Sequence, residues 1–219
     1  MSVAANLARI RETIGAAPVT LIAVTKNVDS GSITEAFQSG VTEFGENRVS
    51  DALEKQEQVP PSVAQHIRWH FIGHLQTNKV KKVVGNFSLI HSVDSLHLAQ
   101  EVSRQAQKRS LEQPILLQVK VLEDPGKSGF SPEQLRRDFA QLKDLPNLKL
   151  EGLMTIAPLT SDPIVWRQSF NGLRLLRDEL EATHGITLRE LSMGMTQDWQ
   201  DAISCGSTMV RLGRAIFGH

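Results

Sequence analysis

A chain of 219 residues with 24 Lys+Arg against 24 Asp+Glu has no net field to recruit nucleic acid or a membrane surface. One cysteine, Cys205, excludes an internal disulfide and fits a reducing cytosol; its small-residue surroundings predict buried packing. There is no basic N-terminal segment followed by an apolar core, and no apolar run approaches the roughly 18 residues of a spanning helix. A cytoplasmic protein that stays where it is made is expected.

Residues 2–14 predict an amphipathic helix through Val3, Leu7, Ile10 and Ile14. Leu21 to Val24 reads as a buried strand that runs through Thr25 into Lys26. Ser32 to Glu35 reads as a capping box, Val41 to Gly45 as the second strand, and the polar stretch to Gln58 as a helix. Pro60-Pro61 breaks the chain before a third strand, Ile67 to Gly73, and a third helix from Gln76 to Val84. Ser88 to Ser92 is the fourth strand, with a helix from about Ser95 to Lys108. Ile115 to Leu122 is the fifth, followed by the loop Glu123 to Gly129 and a helix opened by Ser131-Pro132. Leu148 to Ile156, Leu188 to Ser192 and Met209 to Leu212 complete the strands. A long helix follows the sixth, and Thr196 is expected to cap a short one after the seventh.

Eight β–α units with near-continuous apolar strands predict an α/β fold. The expected architecture is a single (β/α)8 TIM barrel over residues 1–219 with an extra N-terminal helix. An open doubly wound sheet is the alternative, but no G-x-G-x-x-G follows the first strand. Chemistry in such barrels gathers at the C-terminal ends of the strands. That rule puts Lys26, Asn47, His74, Met154, Ser192, Gly194, Gly213 and Arg214 around one rim. Strand period places Ile22, Val24 and Lys26 on one face, so the ammonium points into an apolar mouth. Partial desolvation there would lower its pKa and free a neutral amine to form a Schiff base; a solvated loop lysine is the other reading. The loops after strands seven and eight are where barrels often hold phosphate, with Ser192 or Thr196 adding a hydroxyl. Arg211 lies inside an apolar strand and needs acceptors: a glutamate such as Glu43 or Glu46, or a ligand in the mouth.

These segments resemble the pyridoxal 5′-phosphate homeostasis proteins. The matching motifs are Ala23-Val24-Thr25-Lys26, Phe44-Gly45-Glu46-Asn47, Trp69 through Lys79, Leu191 through Met195, and Val210 through Gly218. They run from the first strand to the last. The family's barrel is similar to the N-terminal domain of fold-type III alanine racemase. The resemblance implies that Lys26 carries pyridoxal 5′-phosphate (PLP) as a covalent aldimine, with Asn47 near it. Ser192, Gly194, Gly213 and Arg214 would hold the phosphate, and Arg211 would donate to the pyridine nitrogen. Met154, on the same rim, joins the cofactor-binding candidates. The implied role is a carrier or buffer of PLP in vitamin B6 and amino/keto-acid homeostasis, not an enzyme.

An arginine at the ring nitrogen cannot accept its proton, which leaves the ring a poorer electron sink. The chain also has no tyrosine to act as a racemase's opposite-face acid. A racemase or aldolase-like enzyme is the alternative, with His70, His74 or His91 as substitutes. PLP and PLP-dependent apo-enzymes are the expected partners, with no nucleic acid and no membrane, and the chain is expected to be a monomer. Lys79, Lys81 and Lys82 read as a solvated helix start, or as charges that steer anionic PLP. No spacing of His and Cys suggests a metal.

Overall fold

Runs rich in valine, isoleucine and leucine, covered on both faces, build eight parallel strands. They are β1 (Thr20–Val24), β2 (Glu43–Glu46), β3 (Arg68–Phe71), β4 (Leu89–Val93), β5 (Gln113–Gln118), β6 (Leu148–Met154), β7 (Glu190–Ser192) and β8 (Met209–Leu212). They pair in sequence order, and β8 closes on β1 with Ile22 opposite Arg211. This computed structural model describes residues 2–124 and 126–218; Pro125, in the loop expected after the fifth strand, lies outside them.

Ten helices ring the described barrel: α1 (Val3–Ile14), α2 (Ser30–Gln38), α3 (Val49–Gln58), α4 (Pro61–Ala64), α5 (Val80–Val83), α6 (Leu96–Lys108), α7 (Pro132–Lys143), α8 (Pro163–His184), α9 (Trp199–Ser204) and α10 (Arg214–Phe217). The extra helix α1 is tied to α10 by Asn6 Nδ2, which donates to the Ile216 carbonyl at 2.8 Å. None of the described helices is long and apolar enough to cross a membrane.

The period of two splits the core. Phe44, Phe71, Ile90, Leu117 and Leu153 face outward and pack beneath the helices. Ile22, Leu89, Leu116, Met154 and Met209 face inward and fill the barrel.

Helix α7 opens at Ser131-Pro132 as the sequence predicts, with Ser131 and Gln134 forming a capping box. The start of α2 differs: Asp29, not Ser32, is its cap and accepts from the Ser32 N–H at 2.8 Å. The helix expected over 76–84 is a 3₁₀ turn, Thr77–Lys79, followed by α5. Strand five begins two residues earlier than expected, where Gln113 pairs with Leu148 of β6 and its buried side chain accepts from Gly85 N and donates to the Phe87 carbonyl. Asp198, not Thr196, stands at the start of α9.

Candidate functional site

The C-terminal ends of the strands open into a cavity of about 410 Å³. Val24, Ile72, Ile156 and Trp166 form its apolar walls, and Lys26, Asn47, Lys127, Arg211 and Arg214 bring polar groups to it. Ile22 is inside the barrel while Val24 and Lys26 reach the mouth, so β1 aims the lysine along the line its period predicts. Of the two readings, enclosed or in a solvated loop, the structure gives an exposed Lys26. The strand ends at Val24, and Asn27 just beyond adopts φ 59°, which turns the chain out into solvent.

The backbone under Lys26 is held from behind. Glu46 faces outward from β2, and its Oε1 accepts from Thr25 Oγ1 and from Lys55 Nζ, each at 2.6 Å. Lys55, on α3, also donates to the Thr25 carbonyl. The sequence reading passed over Lys55 as part of a polar helix. Asn47 is fixed by Gly73, where a Cβ would stand 2.1 Å from the Asn47 carbonyl oxygen; only glycine permits that approach.

Arg211 is 4% exposed, with Nη1 donating to Ser192 Oγ at 2.6 Å and Nη2 to the Thr155 carbonyl at 3.0 Å. Neither glutamate suggested by the sequence touches it. Glu43 is taken by Arg68 and His70, and Glu46 by Lys55 and Thr25. Burial lowers the guanidinium to about 10, against the pull of the Asp198 charge, so it stays cationic at neutral pH. Burial raises the Asp198 carboxyl despite the Met195 N–H that it accepts at 2.6 Å and the nearby Arg211 charge. A buried cation with no carboxylate bonded to it among the described residues, facing a cavity, is the electrostatic mark of a ligand site.

Behind Arg211 a polar file crosses the barrel. Ser192 Oγ lies 2.8 Å from His91 Nδ1, His91 Nε2 lies 2.9 Å from His70 Nδ1, and His70 Nε2 lies 2.6 Å from Glu43 Oε2. Burial, then the charges of His70 and Arg211, hold the His91 imidazole well below its ordinary 6.5. Above pH 6.5 neither folded nor unfolded chain protonates this ring. Below it the unfolded chain takes a proton that the folded one refuses, so stability falls as pH falls, by about 1.4 kcal/mol per pH unit until the depressed value is reached. Urea unfolding of wild type and His91→Asn at pH 7 and 5.5 checks this. The wild type should lose that increment and the variant should not; equal losses would contradict the assignment.

The other predicted residues separate into two sets. Gly213 and Arg214 line the mouth beside Asn47 and Arg211. Met154 does not: it is fully buried in the inner core, and Ile156, one strand period further on, takes the rim position. Ser192 is also fully buried, with its hydroxyl occupied by Arg211 and His91. Gly194, at φ +98°, turns β7 toward α9, and a Cβ there would meet Ala202 at 2.6 Å. Thr196, Gln197 and Asp198 follow on the rim. His74 is near Ser128 and Asp94 and does not line the mouth; with Lys79 and Lys82 it borders an adjoining cavity of about 240 Å³ that shares Asn47 with the mouth.

The sequence reading missed Lys127, Trp166 and Asp198. Lys127 sits on the loop after β5, its Nζ 2.5 Å from the Ala157 carbonyl and 3.1 Å from Asp124. An aspartate just before a helix was the available signal for Asp198. Cys205 is buried, and burial pushes its thiol up. Among the described residues no group of three or more His, Cys, Asp or Glu could hold a metal ion.

Residues 1–219 match the family model described as alanine racemase, N-terminal domain. A protein of Synechocystis named pyridoxal phosphate homeostasis protein is 44% identical over 200 residues, covering 91% of each chain. PipY of Synechococcus elongatus, solved without PLP, has a TM-score of 0.93 at 39% identity, covering 99% of this chain and 100% of that one. The same protein with PLP bound gives 0.91 at 38% identity with the same coverage. Alanine racemase of Clostridium difficile shares the fold, with a TM-score of 0.80 at 18% identity over all of this chain and 56% of its own.

Proposed function

The chain belongs to the pyridoxal phosphate homeostasis protein family, on the alanine racemase N-terminal fold, and from that premise we propose that it binds PLP at the barrel mouth as a carrier or buffer. The observation that carries this reading is the convergence of an exposed lysine amine and a buried, cationic arginine on one cavity of about 410 Å³. A cavity of that size with apolar walls and few polar groups suits a small aromatic ligand.

The residues present fit the cofactor. Bound PLP supplies an aldehyde, to which a primary amine adds with loss of water. Lys26 brings that amine from β1. Arg211 presents donors fixed by Ser192 and the Thr155 carbonyl, suited to an unprotonated ring nitrogen. Arg214 supplies positive charge for the phosphate, and Thr196 a hydroxyl. Ser192 and Gly194 act from behind, as supports of Arg211 and of the β7 loop.

Several features favour a carrier over a racemase. The relatives are named for cofactor homeostasis and not for a reaction. Arg211 cannot take the ring proton, and no tyrosine exists in the chain. His70 and His91 are bonded to each other inside the barrel. The reading is of a monomer that returns PLP to apo-enzymes in the cytoplasm.

Titration with PLP, followed by visible absorbance, tests the proposal. One equivalent should produce a protein-bound band, and Arg211→Met should weaken binding about tenfold or more by removing a charge-assisted hydrogen bond of roughly 1.5 kcal/mol. A wild-type protein that gives no band would overturn it.

A further inference from the structure

The file of polar groups from Arg211 to Glu43 has fixed donors and acceptors, because its two ends are chemically one-sided. A guanidinium only donates and a carboxylate only accepts. Arg211 Nη1 therefore gives its hydrogen to Ser192 Oγ at the head, and His70 Nε2 gives one to Glu43 at the foot. Between them lie four links and three groups, Ser192, His91 and His70. With each of these three holding one transferable hydrogen, every link is filled once. The Ser192 hydroxyl donates to His91 Nδ1, and His91 Nε2–H donates to His70 Nδ1. All hydrogens point the same way, from mouth to foot.

The foot is open to water. Glu43 borders a second cavity of about 480 Å³ at the opposite end of the barrel, with Arg11, Thr20 and Thr42, and it pairs with the largely exposed Arg68. A proton added there reverses the file. A doubly protonated His70 donates to His91 Nε2, and His91 moves its hydrogen to Nδ1 and donates to Ser192 Oγ. Ser192 then accepts from both sides, and among the described residues its own hydrogen has no acceptor. His91 stays neutral throughout, as its buried position demands, and changes only its tautomer. The uptake of one proton at the foot is thus felt at the guanidinium.

We propose that Glu43, His70, His91 and Ser192 are positioning residues for Arg211, joined in a one-way hydrogen-bond relay that couples proton uptake at the barrel foot to the donor geometry at the mouth. The charges facing this relay are Glu43 from β2, Arg68 from β3, Glu190 from β7, Arg211 from β8 and Asp198 before α9. Glu43 accepts the His70 Nε2 hydrogen, and Arg211 opposes a charge on His91. The mouth arm of the proposal rests on the PLP reading above; the relay itself does not.

Two measurements test it. Ring-nitrogen NMR of the ¹⁵N-histidine-labelled full chain without PLP, at pH 8, should show both His70 and His91 as Nε2–H tautomers. On acidification His91 should convert to Nδ1–H as the pair takes one proton. An Nδ1–H tautomer for His91 at pH 8, or doubly protonated His91 on acidification, would overturn the relay. In the PLP-loaded protein, the absorbance should shift with pH at the same midpoint as the tautomer change. Glu43→Gln removes the carboxylate charge and should weaken proton uptake about tenfold, moving both midpoints down by about one pH unit. A bound-PLP midpoint that ignores Glu43→Gln while the tautomer midpoint moves would refute the coupling. If no PLP band forms at all, the cofactor reading fails, and the tautomer pattern still decides the relay.

Discussion

Lys26→Ala is expected to fold like the wild type and to lose at least about a hundredfold in PLP affinity, ~2.7 kcal/mol. The first half follows from exposure. The side chain is in solvent and makes no ion pair or hydrogen bond among the described residues, so truncation should change stability by less than about 0.5 kcal/mol. The second half follows from chemistry: alanine leaves Arg211, Thr196 and Arg214 in place but removes the amine that can bond covalently. Equilibrium dialysis against PLP, with a thermal melt of the same samples, separates the two effects. A variant that melts with the wild type and still holds PLP within about threefold would exclude Lys26 as the anchor.

Lys55→Met is expected to be among the most destabilising single changes near the site, costing about 3–5 kcal/mol. Glu46 is 1% exposed in its side chain, Lys55 is 13% exposed, and their atoms meet at 2.6 Å. Among the described residues Glu46 Oε2 already lacks a partner. Removing the ammonium leaves a buried carboxylate with the Thr25 hydroxyl and little else. For a chain of this size that loss corresponds to a melting drop of roughly 6–20 °C. The double change Lys55→Met with Glu46→Gln should recover most of it, because no buried charge is then left unpaired. A single-variant loss under about 1 kcal/mol, by urea unfolding, would show that the pair is unimportant to the fold. The Thr25 carbonyl is held by the same lysine, so PLP affinity should fall together with stability.

The strand order and the direction of Lys26 were legible because both rest on a period of two along apolar runs. The mouth positions Asn47, Gly213 and Arg214 were legible for the same reason, each lying just past the end of a strand; Arg211 lies inside β8, and for it a ligand in the mouth was one of two readings, beside an ion pair with a glutamate. Met154 and Ser192 were misplaced by one layer. Sequence shows that a residue is near a strand end, but not whether its side chain enters the mouth or the core beneath, and that depends on barrel closure. Lys55 and Lys127 were invisible as site residues. A lysine on a polar helix and a lysine in a loop look solvated until the fold brings Glu46 to one and the Ala157 carbonyl to the other. The pairing of His70 with His91 joins neighbouring strands, and Arg211 reaches the pair through Ser192 from the far side of the barrel. Those contacts come from tertiary closure, and no local pattern announces them.

Two lysines, Lys26 and Lys127, face one mouth, so the most direct measurement is to find which carries the cofactor. Wild-type protein incubated with PLP would be reduced with borohydride, digested and mapped by mass spectrometry. One reduced adduct is expected, on Lys26. An adduct on Lys127 instead, or none on any lysine of a protein that has bound PLP, would contradict it.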